Sequence, residues 1–181
     1  YRQLVTDFPS ADPSSKAKGA LYRLGSVGKP IRLSGNEVQN GSVDLGNYKR
    51  KAVLIHYWAT WCEPCKEDMV LLKDFYAKRG GRDFDIIGVC LDNDAATAKQ
   101  YLNQNRFAWK HIHEPGGLDG RLANELGVMT LPLMMLVDQN GNVANNNIHV
   151  AELEAELGKL TKPAANTANS GNSSRTAPLP R

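Results

Sequence analysis

The chain has 181 residues, 41% of them hydrophobic, and a formal net charge of +3. That length suits one domain with appendages, and the apolar fraction suffices for a sizeable core. The small, dispersed charge argues against nucleic acid or an anionic membrane surface as the main partner, and no apolar run is long enough to span a bilayer.

With Tyr1 in place of a methionine, and no secretory signal in view, the sequence reads as an excised or processed piece. Residues 1–27 read as a helical extension. Leu4 and Phe8 fall on one helical face, and Pro9 to Ser15 supplies turn residues and helix N-caps. Lys16 to Leu24 reads as a second helix with Ala17, Ala20, Leu21 and Leu24 on one side, stopped by Gly25 and Gly28. The pattern suits the end of a tetratricopeptide-like pair, or a linker from an upstream helical domain of the same polypeptide.

Residues 28–162 read as the main domain. Ile31–Leu33 and Ser42–Leu45 alternate around a Gly/Asn-rich turn, which predicts a hairpin. Ala52–Trp58 is a nearly continuous apolar run, as expected of a strand buried on both faces. Glu63–Arg79 is predicted helical, with Cys65, Met69, Leu72 and Tyr76 on one stripe widened by Leu71 and Phe75. Lys78 and Arg79 suit its C-terminal end, and Gly80-Gly81 ends it. Phe84–Leu91 is the next buried strand. Asp92 or Asn93 is expected to cap a helix running to about Asn105. Trp109–Thr130 is less regular, with a short helix near Leu118–Leu126. Leu133–Val137 is a strand, Asp138–Gly141 a tight turn, Asn142 onward a return strand, and Val150–Leu160 a closing helix with Leu153, Leu157 and Leu160 on one face. Residues 163–181 hold almost no large apolar side chain and are expected to be a disordered tail.

The order strand, helix, strand, helix, strand, strand, helix combines a parallel βαβ unit with an antiparallel pair. Cys62 and Cys65 stand where the first long strand gives way to a helix. Pro64 fits the first helical turn, where its missing N–H costs nothing. Residues three apart there share a face, within reach of a disulfide. The helix N-terminus favours a thiolate at Cys62, making it the attacking sulfur. Cys65, one turn further in, is the resolving thiol. Glu63 sets negative charge near Cys62 and should disfavour its thiolate, which predicts a reducing couple. Trp61 is expected to be exposed beside Cys62, Trp58 to be core, and Cys90 to pack as a small hydrophobe.

WCEPC after AVLIHYWAT, then an amphipathic helix, FDIIGVCLD and LPLMMLVDQNGNV, resembles the thioredoxin superfamily. Within it, the chain is most similar to TlpA/ResA-like thiol–disulfide oxidoreductases, over roughly Gly28 to Leu160. The resemblance implies an α/β thioredoxin fold, a central mixed sheet flanked by helices, with an N-terminal β-hairpin. It implies protein thiols and disulfides as substrates, an upstream reductant, no organic cofactor beyond the redox-active disulfide Cys62–Cys65, and work outside the cytoplasm. It also implies that Pro132 is cis and faces the disulfide, and that Leu131 presents its backbone to an extended substrate. Asp68 stands where the family often has a glutamate, and is either a base for Cys65 or a surface cap. His56 stands where thioredoxin has a buried aspartate, and is either a proton relay for Cys65 or a core histidine.

Three rivals stand beside this reading. A structural zinc needs about four ligands and no second Cys-x-x-Cys pair is present, although His111 and His113 share a strand face. A peroxiredoxin would carry proline seven residues before its cysteine, where this chain has Ile55. A docking module would keep the fold and dispense with the chemistry.

Overall fold

The structure, a computed structural model, describes residues 1–7 and 12–161. The expectations for Phe8, Pro9 and the 163–181 tail lie outside the described residues.

The frame is a five-stranded sheet ordered β5-β4-β3-β6-β7. Its strands are β3 (Ala52–Trp58), β4 (Phe84–Cys90), β5 (Lys110–His113), β6 (Leu133–Val137) and β7 (Val143–Asn145). β3, β4 and β5 run parallel, while β6 is antiparallel to β3 and to β7. Every residue of β3, β4 and β6 is buried, so these strands read as apolar runs rather than alternating ones.

Alternation sorts their side chains to two faces. Val53, Ile55, Tyr57, Ile87, Val89 and Met135 enter one cluster, beneath α5 (Arg121–Glu125). Leu54, Trp58, Ile86, Cys90, Met134 and Leu136 enter the other, with buried residues of α3 (Glu63–Arg79), α4 (Ala95–Asn105) and α6 (Leu153–Thr161). Each fully buried Leu or Ile contributes about 1.5–3 kcal/mol.

Several expectations need correction. β5 lies inside the segment read as irregular; the small hairpin covers its outer edge, with Val38 N–H donating to the His111 carbonyl at 2.8 Å. The hairpin strands are β1 (Ser34–Asn36) and β2 (Ser42–Asp44). Ile31 and Leu33 are buried but stand before the paired stretch. Gly35 lets this hairpin approach β5, since a Cβ there would meet Ile112 Cγ2 at 2.4 Å. The helix after β4 is capped by Asp94, which accepts from Ala96 N and Thr97 N, and not by Asp92 or Asn93. Leu71, at 55% exposure, faces solvent, so the inner stripe of α3 is narrower than its sequence suggests.

At the N-terminus, α1 spans Arg2–Asp7 and α2 spans Asp12–Leu24. α2 begins four residues earlier than predicted, because proline is tolerated in a first turn, whose N–H groups have no intrahelical acceptor. Its inner face is Ser14, Ala17 and Ala20, while Leu24 is exposed.

Candidate functional site

The site is built where β3 ends. Leu91 N–H donates to the Trp58 carbonyl at 2.8 Å. Asp92, buried at 3% exposure, holds Thr60, two residues after Trp58: Thr60 N–H reaches its Oδ1 at 3.1 Å and Thr60 Oγ1 donates to the same oxygen at 2.8 Å. The Cys90 thiol donates to Asp92 Oδ2 at 3.1 Å. One buried carboxylate therefore ties the β3–α3 turn to the end of β4, and three donors compensate its burial.

Cys62 follows as the N-cap of α3, in extended conformation, with its sulfur accepting from Cys65 N–H at 3.2 Å. Pro64 lies in the first turn. Cys62 and Cys65 are joined in a disulfide with Cα atoms 5.3 Å apart. Cys62 is 5% exposed and Cys65 is 0% exposed. Cys62 is thus the less buried of the two, and its sulfur already faces a helix-terminal donor. On reduction the same N–H and the helix end favour a thiolate there. Trp61 is 57% exposed beside it, as expected, and Trp58 is core.

Glu63 is exposed, and its carboxylate takes a salt bridge from Lys66 at 2.5 Å. Its charge is therefore partly offset, which weakens its action on Cys62. Asp68 is half-buried one turn after Cys65. Burial raises its carboxyl above the usual range, and His149 pulls the other way. His56 is 0% exposed, and neither ring nitrogen has a hydrogen-bond partner. Burial holds its pKa near 3. Alternation places it with Leu54 and Trp58, on the face whose cluster contains Cys62 and Cys65. Among the described residues, no hydrogen bond joins His56 or Asp68 to either sulfur.

Leu131-Pro132 is a cis peptide. Tyr57 pairs with Leu133, so the register sets Pro132 beside the last residue of β3. Leu131 packs against the cluster that contains both cysteines.

Sequence reasoning did not foresee a second buried histidine under the site. His111 Nδ1 accepts from Trp58 Nε1 at 3.2 Å, which assigns its proton to Nε2, where no partner is found. His113 Nε2 lies 2.9 Å from the Asp92 carbonyl. Both imidazoles are thus packed into the core beside β4. Across the sheet His56, Gly88 and His111 stand in one row. A Cβ on Gly88 would lie 2.1 Å from His111 Nδ1. Gly88→Ala is therefore expected to expel the imidazole, break the Trp58 hydrogen bond and cost about 1–3 kcal/mol. Urea unfolding measures it, and an unchanged midpoint would contradict the packing described.

A sequence model described as thioredoxin-like matches residues 49–143, more than half of the chain. The chain belongs to the thioredoxin-like family. Among curated relatives of this thioredoxin-like protein, the thiol–disulfide oxidoreductase ResA of Oceanobacillus iheyensis is 25% identical over 130 residues, covering 71% of this chain and 66% of that one. ResA of Bacillus thuringiensis subsp. konkukian is 26% identical over 107 residues, covering 59% and 60%. The chain thus spans less than two thirds of the length of these relatives. Among solved structures, the C-terminal domain of a protein named as a thiol–disulfide oxidoreductase from Bacteroides thetaiotaomicron superposes with a TM-score of 0.67 at 21% identity, covering 74% of this chain and 95% of that one. A DsbF homologue from Corynebacterium diphtheriae gives 0.62 at 21% identity, covering 73% and 87%. These likenesses carry the fold, a mixed sheet flanked by helices with an N-terminal hairpin.

Proposed function

We propose that this thioredoxin-like domain is a thiol–disulfide oxidoreductase that reduces protein disulfides through Cys62 and Cys65. The observation that carries the reading is the asymmetry of the pair. Cys62 is at the helix start with a backbone donor on its sulfur, and Cys65 is sealed behind it. In the dithiol state the Cys62 thiolate attacks a client disulfide, and one client sulfur leaves as a thiolate. The Cys65 thiolate then attacks Cys62 Sγ, the mixed disulfide breaks, and the client departs with both sulfurs reduced. Two electrons pass from the cysteine pair to the client, and an upstream dithiol must return them. Cys65 must lose a proton in the second step. Asp68 suits that role, being one helical turn away with a carboxyl raised by burial. His56 is held neutral well below its ordinary range and is the poorer acceptor. Pro132 and Leu131, beside the end of β3, are assigned to client docking.

The reducing direction is supported by Glu63 at the first helical position, an exposed carboxylate whose salt bridge to the half-buried Lys66 is of the weak surface kind. The reading places the chemistry outside the cytoplasm, where disulfide-bonded clients persist. No described helix is long and apolar enough to cross a membrane. Equilibration in defined thiol buffers tests the direction. A potential near that of thioredoxin, about −270 mV, is expected, and one near that of DsbA, about −120 mV, would make the protein a disulfide donor instead.

A further inference from the structure

Helix α2 is locked onto the chain that leads to Leu131-Pro132. Ala17 and Ala20 are buried, and Gly19 meets Gly127 backbone to backbone. A Cβ on Gly19 would lie 2.0 Å from the Asn124 carbonyl oxygen and 2.5 Å from Gly127 N. A Cβ on Gly127, whose φ is +58°, would lie 2.1 Å from Ala20 N. Such a crossing leaves no slack, and polar ties add to it. Arg23 Nε donates to the Leu126 carbonyl at 3.0 Å, and Asn146 Nδ2 donates to the Arg23 carbonyl at 3.0 Å. Lys16 reaches Asp119 at 2.8 Å.

Beyond this grip the chain is released. Val128 N–H bonds to the Ala123 carbonyl at 2.8 Å. Among the described residues, Met129, Thr130 and Leu131 then make no backbone–backbone hydrogen bond. Met129 and Thr130 are exposed, and the register brings this stretch to the end of the sheet where Cys62 lies. Unpaired backbone beside a reactive sulfur is a surface that an extended polypeptide can join by strand-like pairing. Tyr1 borders it, its hydroxyl 4.0 Å from Met129 Sδ.

We propose that α2 is a positioning element for protein clients. The Gly19–Gly127 crossing and the Arg23–Leu126 hydrogen bond set the height of the Met129–Leu131 backbone relative to Cys62, so that a bound polypeptide delivers its disulfide to that sulfur. The extension is then part of the enzyme's client-binding apparatus rather than a passive linker. This rests on the Cys62–Cys65 exchange proposed above. A small disulfide needs only the sulfur, and a polypeptide needs the loop as well.

The test compares insulin with glutathione disulfide as oxidants of the full chain, using Gly19→Ala, the milder Arg23→Ala, and Arg23→Lys. For the first two variants, kcat/KM on insulin is expected to fall at least about tenfold, mainly through KM, as for a bound geometry displaced by a fraction of an ångström or more. The rate with glutathione disulfide and the reduction potential should match the parent. Arg23→Lys, which keeps a donor near Leu126, should recover much of the insulin activity. Equal losses on both oxidants, or insulin kinetics unchanged in Arg23→Ala, would overturn the assignment. A parent protein inert toward both oxidants would overturn the exchange chemistry itself.

Discussion

A Cys65→Ser protein is expected to lose turnover completely while still forming a mixed disulfide with protein clients that does not resolve. Cys62 is the less buried cysteine and its sulfur faces the Cys65 backbone N–H, and neither feature depends on the Cys65 side chain. The second step does depend on it, because another thiol must reach Cys62 Sγ. Cys90 cannot serve. It is fully buried, its thiol donates to Asp92, and burial pushes its pKa far above the range at which a thiolate is present. Cys62→Ser should lose both turnover and the trapped adduct. Losing the short disulfide loop costs roughly 2 kcal/mol on a chain-entropy argument, so both variants should still fold. Non-reducing electrophoresis with mass spectrometry of the adduct reads the outcome. Trapping through Cys90, or turnover surviving in Cys65→Ser, would refute the assignment of roles.

The elements that position the disulfide were legible for a simple reason. β3, α3 and β6 have the predicted boundaries, because each is an apolar run or stripe bracketed by turn or capping residues. The Cys62–Cys65 pair sits on that junction, so its chemistry could be read locally. What failed to show is what depends on distant partners. The burial of β5 was hidden because Lys110, His111 and His113 look like a polar edge. Trp58 and the Asp92 carbonyl supply the hydrogen bonds that let both histidines enter the core. Asp92 looked like a cap because it begins the Asp-Asn-Asp run before α4, yet Asp94 has Thr97 at the right spacing, and Asp92 is taken by Thr60. Leu71 follows a helical stripe by spacing, but none of the described elements covers it. The two glycines that dock α2 against the turn after α5 meet across more than one hundred residues, a separation that no periodicity reveals.

The two buried histidines should dominate the acid stability of the protein. His56 and His111 both have pKa values near 3, His56 through burial and His111 through burial and then the neighbouring His56. In the unfolded chain each returns to about 6.5. Below that value the unfolded state binds protons that the folded state refuses, so stability falls as pH falls and continues to fall until about pH 3. Above pH 6.5 neither group contributes any slope. Each histidine contributes roughly 1.4 kcal/mol per pH unit, so two units below pH 6.5 the pair removes about 5 kcal/mol. That is comparable with the whole stability of many domains. Asp68 acts in the opposite sense, since a carboxyl raised in the folded state favours folding as pH drops through its titration. One such half-buried group does not cancel two fully buried imidazoles. Urea titrations between pH 7 and pH 4 should therefore show a slope near two protons per molecule, and His56→Leu should reduce it to about one. The same change removes two buried nitrogens without partners, so it should also stabilise the protein at pH 7 by about 1–3 kcal/mol. A His56→Leu protein with the parent's acid slope would mean that the imidazole is charged or solvated in the folded state. His56 would then titrate in the folded state much as it does in the unfolded chain, and its neutral imidazole would displace Asp68 as the acceptor of the Cys65 proton.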